Sequence, residues 1–190
     1  GANNVHTRRI MLVSGALALG GGVWAMHFIG MLAFDLCVPV RYDYGLTLLS
    51  MLPSVLASAA AMSLPTRPRV TRGQMLVGGG LVGSGIGAMH YSGMAAMRMM
   101  PVLRYDPLLF VLSIVLAIAL ATLALGAKVW LSRRSDRVTP SMRILISGTL
   151  MGLAISAMHY TGMAAARFIG TPELTAGTSV TDPVFLGSMI

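Results

Sequence analysis

Met158-His159-Tyr160-Thr161-Gly162-Met163 has two near copies earlier in the 190-residue chain, Met26-His27-Phe28-Ile29-Gly30-Met31 and Met89-His90-Tyr91-Ser92-Gly93-Met94. On an α-helix, residues four apart share a face, so each copy sets a His imidazole beside the thioether of Met31, Met94 or Met163. Gly20, Gly83 and Gly152 each stand seven residues before the His, two turns back and almost on the same face. Glycine at that position and three residues after the His allows helices to approach closely. We therefore expect Gly20, Gly83 and Gly152 to face the inside of a helical bundle, on the side of the His residues.

The composition places that bundle in a membrane. Of all residues 55% are hydrophobic and 11% charged, with a mean hydropathy of +0.76, far from an ordinary soluble domain. Five segments free of Asp, Glu, Lys and Arg (10–34, 44–64, 73–97, 107–127 and 144–166) each exceed the roughly 20 residues that cross about 30 Å of hydrocarbon as a helix. A sixth apolar segment opens at Pro183. The fold class expected is all-α: a polytopic transmembrane helical bundle of repeated two-helix hairpins, with five complete spans, the start of a sixth and no β-sheet. The chain opens on Gly beside Thr7-Arg8-Arg9, which reads as an excised piece of a longer protein.

The formal charge of +8 marks topology rather than nucleic-acid binding. Arg8, Arg9, Arg67, Arg69, Arg72, Lys128, Arg133, Arg134, Arg137 and Arg143 fall on one side of the spans. The other side holds Arg41, Arg98, Arg104 and Arg167 with Asp35, Asp43, Asp106, Glu173 and Asp182. The positive-inside rule puts the N-terminus and the basic connections in the cytoplasm. All three motifs then lie near the outer ends of outward-going helices. With the boundary at Asp35, eight residues past His27, the imidazole sits about 12 Å inside the outer end.

His27 to His90, Asp43 to Asp106 and Ser50 to Ser113 share one offset of 63 residues, so the unit is a motif helix, an outer loop and a return helix. The third motif follows at an offset of 69, the extra residues fitting a longer basic connection. Asp182-Pro183 repeats Asp106-Pro107 and marks a third return helix. The hairpins cover about 8–65, 71–130 and 141–190 of a single domain spanning 1–190. Asp43 is an N-cap candidate for the second helix, Pro53 kinks that helix, and Pro107 suits a first helical position.

The chemistry must come from within the spans. An ionisable residue in hydrocarbon is a functional candidate by default; one such His reads as a packing residue, but three in equivalent places read as a site. No acid neighbours them in sequence, which disfavours a proton relay or a hard-metal site. Imidazole suits Cu, Zn, Fe or Ni, and thioether favours Cu(I), so copper is the metal expected. His27, His90 and His159 with Met31, Met94 and Met163 are the leading ligand candidates. Met26, Met89 and Met158 point about 100° away from the His on an ideal helix and either reach a neighbouring helix's site or pack. Met97, Met99 and Met100 lie near the outer mouth, where packing is the better reading, and the lone Cys37 reads as a small buried hydrophobe. A phenol is not common to the set, because Phe28 stands where Tyr91 and Tyr160 do. Asp35, Arg98 and Arg167, each eight residues after a His, are candidates for an ion pair at the rim.

The triple Met-His-Phe/Tyr-x-Gly-Met pattern on paired spans resembles the MHYT domain family, bacterial integral-membrane sensor modules named for the residues of Met158-His159-Tyr160-Thr161. The resemblance covers essentially the whole chain. It implies copper bound through Met and His and a diatomic gas (oxygen, carbon monoxide or nitric oxide) as the signal. It further implies a fused or associated cytoplasmic output domain of cyclic-di-GMP or histidine-kinase signalling, and a multi-pass location in the bacterial inner membrane. A complete copy carries a finished final span and a helix before Thr7.

A sensory module embedded in the lipid bilayer, with no catalysis of its own, is the function expected. The alternative is a copper or small-solute transporter, disfavoured by inner helix halves of mainly Gly and aliphatic residues. A membrane oxidoreductase ranks third, since four His including His6 are few for haem or di-metal sites. The topology is open to test. In a Cys37→Ser background, a membrane-impermeant maleimide applied from outside should label Arg41→Cys and spare Ser135→Cys; the reverse pattern would refute an inside N-terminus.

Overall fold

The computed structural model of the protein describes residues 2–34, 40–63, 70–99, 102–133 and 139–169. Helix α1 (Ala2–Leu32) leads to strand β1 (Arg41–Tyr42) and a return made of α2 (Tyr44–Leu49) and α3 (Met51–Ser63). Helix α4 (Arg72–Ala95) is followed by β2 (Met97–Arg98), β3 (Val102–Tyr105) and α5 (Pro107–Arg133). Helix α6 (Pro140–Ala165) and β4 (Ala166–Ile169) follow. The return segment expected from Pro183 lies outside the described residues, as do Asp35, Cys37 and Met100.

Local chemistry explains where the helices start and break. Asp43 caps α2, its Oδ1 accepting the Leu46 N–H at 3.1 Å, and Asp106 Oδ1 accepts from Leu108 and Leu109 ahead of α5. Helix α4 opens with a capping box between Thr71 and Gln74, and Thr139 caps α6 with Pro140 behind it, each supplying an acceptor for a first-turn N–H that has no helical partner. The return helix of the first hairpin is interrupted at Ser50. Pro53 has no N–H for the Leu49 carbonyl four residues back, which is the expected effect of proline inside a helix.

Four helical stretches are long and apolar enough to cross a membrane: Val5–Leu32, Tyr44–Ser63, Pro107–Leu131 and Pro140–Ala165. The fifth span expected, α4, has the length but not the apolarity, because glycines and His90 replace aliphatic side chains along it. Its position explains that composition. Helix α4 packs between α3 and α5 and also meets α1 and α6, so protein covers much of it. An added Cβ at Gly85 would lie 2.6 Å from Ala57 Cβ on α3, and one at Gly83 2.5 Å from Ile118 Cα on α5. The lipid-facing surface is supplied by exposed aliphatic side chains such as Leu56, Leu108, Leu123 and Leu153.

Two of the three glycines seven residues before the His behave as expected. Gly20 is buried, and a Cβ there would lie 2.6 Å from Val55 Cα on the return helix. Gly83 against Ile118 repeats that contact 63 residues on. Among the described residues Gly152 departs from the expectation: it is exposed, and a Cβ there would meet nothing within 4 Å. Its counterparts are covered by return helices, and the third return segment is outside the described residues.

The expectation of no β-sheet is also corrected. Strand β1 pairs antiparallel with β2, Arg41 opposite Arg98, and β3 pairs antiparallel with β4, Arg104 opposite Arg167. Both ribbons sit at the end of the bundle that holds the motifs. Chain leaving a helix still carries backbone N–H and C=O groups that need partners, and here the segments after α4 and α6 find them on the preceding hairpin. Asp43 N–H donates to Ala96 O at 2.8 Å and Asp106 N–H to Ala165 O at 2.9 Å.

The rim ion pairs have different partners from those expected. Arg98 binds Asp43 and Arg167 binds Asp106, each at 2.9 Å, because strand pairing sets the residue eight after a His beside the helix cap of the hairpin before it. The Leu46 N–H and Arg98 hold the Asp43 carboxyl below the usual range; Arg167 and then the Leu109 N–H do the same for Asp106.

The glycine contacts separate by experiment. Gly20→Leu and Gly83→Leu each drive a side chain into a return-helix backbone and should cost about 1 to 3 kcal/mol or more. Gly152→Leu should leave the folded yield and thermal midpoint of this chain unchanged. Equal damage from all three substitutions would refute the packing described.

Candidate metal centre

His27, His90 and His159 come from α1, α4 and α6 and meet at the centre of the bundle, 0%, 1% and 3% exposed. His27 Nδ1 lies 3.1 Å from His90 Nδ1 and 3.3 Å from His159 Nδ1. The three rings stand nearly perpendicular to one another, with centroids 4.8, 5.2 and 5.3 Å apart.

The far side of each ring rests on a glycine of another copy. A Cβ on Gly93 would lie 2.5 Å from His27 Nε2, one on Gly162 2.5 Å from His90 Nε2, and one on Gly30 2.7 Å from His159 Nε2. The relation is cyclic: the first copy's His sits on the second copy's glycine, the second's on the third's, and the third's on the first's. Glycine three after the His allows close helix approach. Its more specific role is to seat an imidazole, and its recurrence at one offset in all three copies was the signal for that.

The methionines form layers on either side of the rings. Met31 and Met94 are buried with Met97 in a cluster one turn towards the helix ends, with Met163 and Met99 packed against it. Met89 and Met158 are buried in the larger core together with Phe28, Ile86 and Val82, with Met26 packed at its edge. All three His+4 methionines thus gather in one layer, and the three preceding the His gather in the other. The helices end sooner than expected, α1 at Leu32, so His27 lies five residues, about 7.5 Å, from the helix end rather than 12 Å. The Met31 layer and residues of the ribbons, Tyr42, Leu103 and Tyr105 among them, cover it instead.

The aromatic neighbours differ between copies in a compensating way. Tyr91 OH hydrogen-bonds Ser113 Oγ at 2.6 Å. In the first copy Phe28 has no hydroxyl to offer Ser50, the residue equivalent to Ser113, and the Trp24 indole N–H donates to Ser50 Oγ at 3.2 Å and to Thr47 O at 3.0 Å. Tyr160, by contrast, is 71% exposed.

A metal ion fits the donor set. Ligands on a tetrahedral ion with metal–nitrogen bonds of about 2.0 to 2.1 Å stand about 3.3 to 3.4 Å apart, near the two Nδ1 separations observed. Each neutral imidazole carries one N–H, and two Nδ1 atoms directed at a third leave little room for their protons. Among the described residues these His form the one group of metal-binding type, their donor atoms all within 4.8 Å of one another.

The family model for the MHYT bacterial signalling protein N-terminal repeat matches residues 20–78, 83–141 and 152–186, so that each matched repeat opens on Gly20, Gly83 or Gly152. The chain belongs to the MHYT family. It is 48% identical over 159 residues, 83% of its length, to the bifunctional diguanylate cyclase/cyclic di-GMP phosphodiesterase MucR of Pseudomonas aeruginosa. Over 92% of its length it is 44% identical to the cyclic di-GMP phosphodiesterase NbdA of the same organism, and over 84% it is 34% identical to the signaling protein YkoW of Bacillus subtilis. The MHYT chain spans 23%, 23% and 20% of the lengths of these three relatives. No solved structure matches it.

The glycine seats make the ring positions testable one at a time. Gly93→Ala should displace His27, Gly162→Ala His90 and Gly30→Ala His159, each at about 1 to 3 kcal/mol of stability. Gly80→Ala, where a Cβ meets nothing within 4 Å, should be neutral or raise stability by up to about 1 kcal/mol. Thermal melts in detergent, with 15N histidine spectra to locate the disturbed ring, distinguish these outcomes.

Proposed function

We propose that this chain is the membrane-embedded sensory module of a cyclic-di-GMP signalling protein of the bacterial inner membrane, holding copper at the His triad and reporting a diatomic gas (O2, CO or NO) to a cytoplasmic output domain. The convergence of His27, His90 and His159 Nδ1 from three separate repeats is the observation that carries this reading. The names of MucR and NbdA support a cyclic-di-GMP output, and the chain itself is read as having no catalysis of its own.

Bound copper would supply a position at which a small neutral molecule coordinates. His27, His90 and His159 would hold it through Nδ1, with the thioethers of Met31, Met94 and Met163 as candidate donors on the outer side and those of Met26, Met89 and Met158 on the inner. The Met layers and the ribbons keep bulk water from the rings, while an apolar gas dissolved in the bilayer reaches them. Each imidazole bears on a second helix through its glycine seat, so a tilt of one ring pushes on the neighbouring motif helix as well as its own. Glycine contacts such as Gly20 on Val55 and Gly83 on Ile118 suit small sliding movements between packed helices, which would carry the change to the inner end.

Phe28, Met89, Met158, Ile86 and Val82 pack tightly beneath the rings, which favours a sensor over a transporter. In the full-length protein, Ala at any one of the three His should lower copper content and abolish gas-dependent control of cyclic-di-GMP turnover, with membrane insertion intact. Met31, Met94 or Met163 to Leu should weaken Cu(I) retention more than folding. Retention of copper in all three His variants, or saturable copper flux into vesicles, would overturn the proposal.

A further inference from the structure

The surroundings of the three imidazoles carry an inference about which ions they accept, resting on the reading of the triad as a metal site. Among the described residues the cluster contains neither carboxylate nor thiolate, only His27, His90 and His159. Among the described residues, Nε2 of His27 and of His90 is buried with no hydrogen-bond partner; Gly93 and Gly162 occupy the space where an acceptor would stand. A metal-bound histidine almost always passes its second N–H to a carboxylate, carbonyl or water, which strengthens it as a donor. Here glycine takes that place.

Three neutral donors leave the whole charge of an ion uncompensated. The penalty for holding a charge in a low-dielectric interior grows as its square, so a divalent ion faces about four times the penalty of a monovalent one. Three-imidazole sites do hold zinc where a bound water or hydroxide completes the ligand set and hydrogen-bonded partners back the rings. At this triad the rings are nearly inaccessible and two of them lack such partners. The neighbouring layers offer soft thioethers, which suit Cu(I) and not hard or borderline divalent ions.

We infer that the His triad selects by charge: it takes a monovalent soft ion, Cu(I) or Ag(I), rejects Zn(II) and Cu(II), and holds copper reduced, so that the module reads the binding of a neutral ligand rather than the transfer of an electron.

Full-length protein in lipid nanodiscs provides the test, with Cu(I) loaded anaerobically, Ag(I) as a redox-inert stand-in and Zn(II) offered separately. Wild type should retain about one equivalent of Cu(I) or Ag(I) and no zinc beyond that of His27→Asn, His90→Asn or His159→Asn variants. After ferricyanide, a one-electron oxidant, the copper should remain bound and silent in electron paramagnetic resonance. His-dependent zinc retention, or a His-dependent Cu(II) signal, would overturn charge selection and leave the metal site standing. Folded wild type that retains neither Ag(I), Cu(I) nor Zn(II) would sink the metal-site reading itself. The ratio of retained Ag(I) or Cu(I) to Zn(II) and the response to ferricyanide are also read on wild type alone, so the test holds even where a variant does not fold.

Discussion

Three imidazoles buried in the apolar interior of a membrane bundle need polar partners, and the rest of the structure is arranged around supplying them. A lone His at such a depth leaves ring nitrogens without hydrogen bonds, at roughly 1 to 3 kcal/mol for each unsatisfied group. His27, His90 and His159 turn Nδ1 toward one another instead, with separations of 3.1 and 3.3 Å, and Nε2 of His27 and His90 is left against the glycine seats. Bringing three rings from three helices so close requires that none be blocked from behind, and glycine at Gly30, Gly93 and Gly162 meets that requirement. The cluster therefore depends on backbone approach as much as on the histidines, and each copy of the motif is incomplete without another.

The ends of the motif helices are fixed by a second set of repeated contacts. Strand pairing ties the segment after His90 to the hairpin of His27, and the segment after His159 to the hairpin of His90. The Arg98–Asp43 and Arg167–Asp106 pairs are exposed at the guanidinium and contribute little by themselves. The backbone bonds from Asp43 to Ala96 and from Asp106 to Ala165 do more to set the register, because they fix the height at which each motif helix ends. That height sets the three rings in one layer. The two clamps join first copy to second and second to third, so α6 is held at its ribbon end, and its opposite half is largely exposed among the described residues.

Much of this was legible in the residues. The 63-residue offset set the hairpin unit, and Asp43 and Pro53 marked a cap and a break that the helices obey. The ribbons were not legible, since Arg41-Tyr42 and Met97-Arg98 are too short to show an alternating pattern and pair only because the helices bring them together. The exposure of Gly152 was hidden for a related reason: a glycine signals close approach, but whether anything approaches depends on a partner elsewhere in the chain. Helix α4 is less apolar than the other four expected spans because neighbouring helices shield it, so it has less need of aliphatic side chains than a lipid-facing helix. For the site, the His and Met positions were readable from spacing, whereas the cyclic seating of each ring on another copy's glycine is a relation between helices that spacing alone does not contain.

That cyclic relation bears on how a small ligand at the centre could have a large effect. In a cluster held by one helix, a shift of a ligand side chain is absorbed by its own rotamer. Here the ring of His27 is attached to α1 and rests on α4, that of His90 is attached to α4 and rests on α6, and that of His159 is attached to α6 and rests on α1. Close packing leaves no slack at the seats, where even a methyl group would clash, so a ring does not turn without moving a helix that is not its own. The same closeness that sets the Nδ1 atoms against one another thus links the three repeats mechanically.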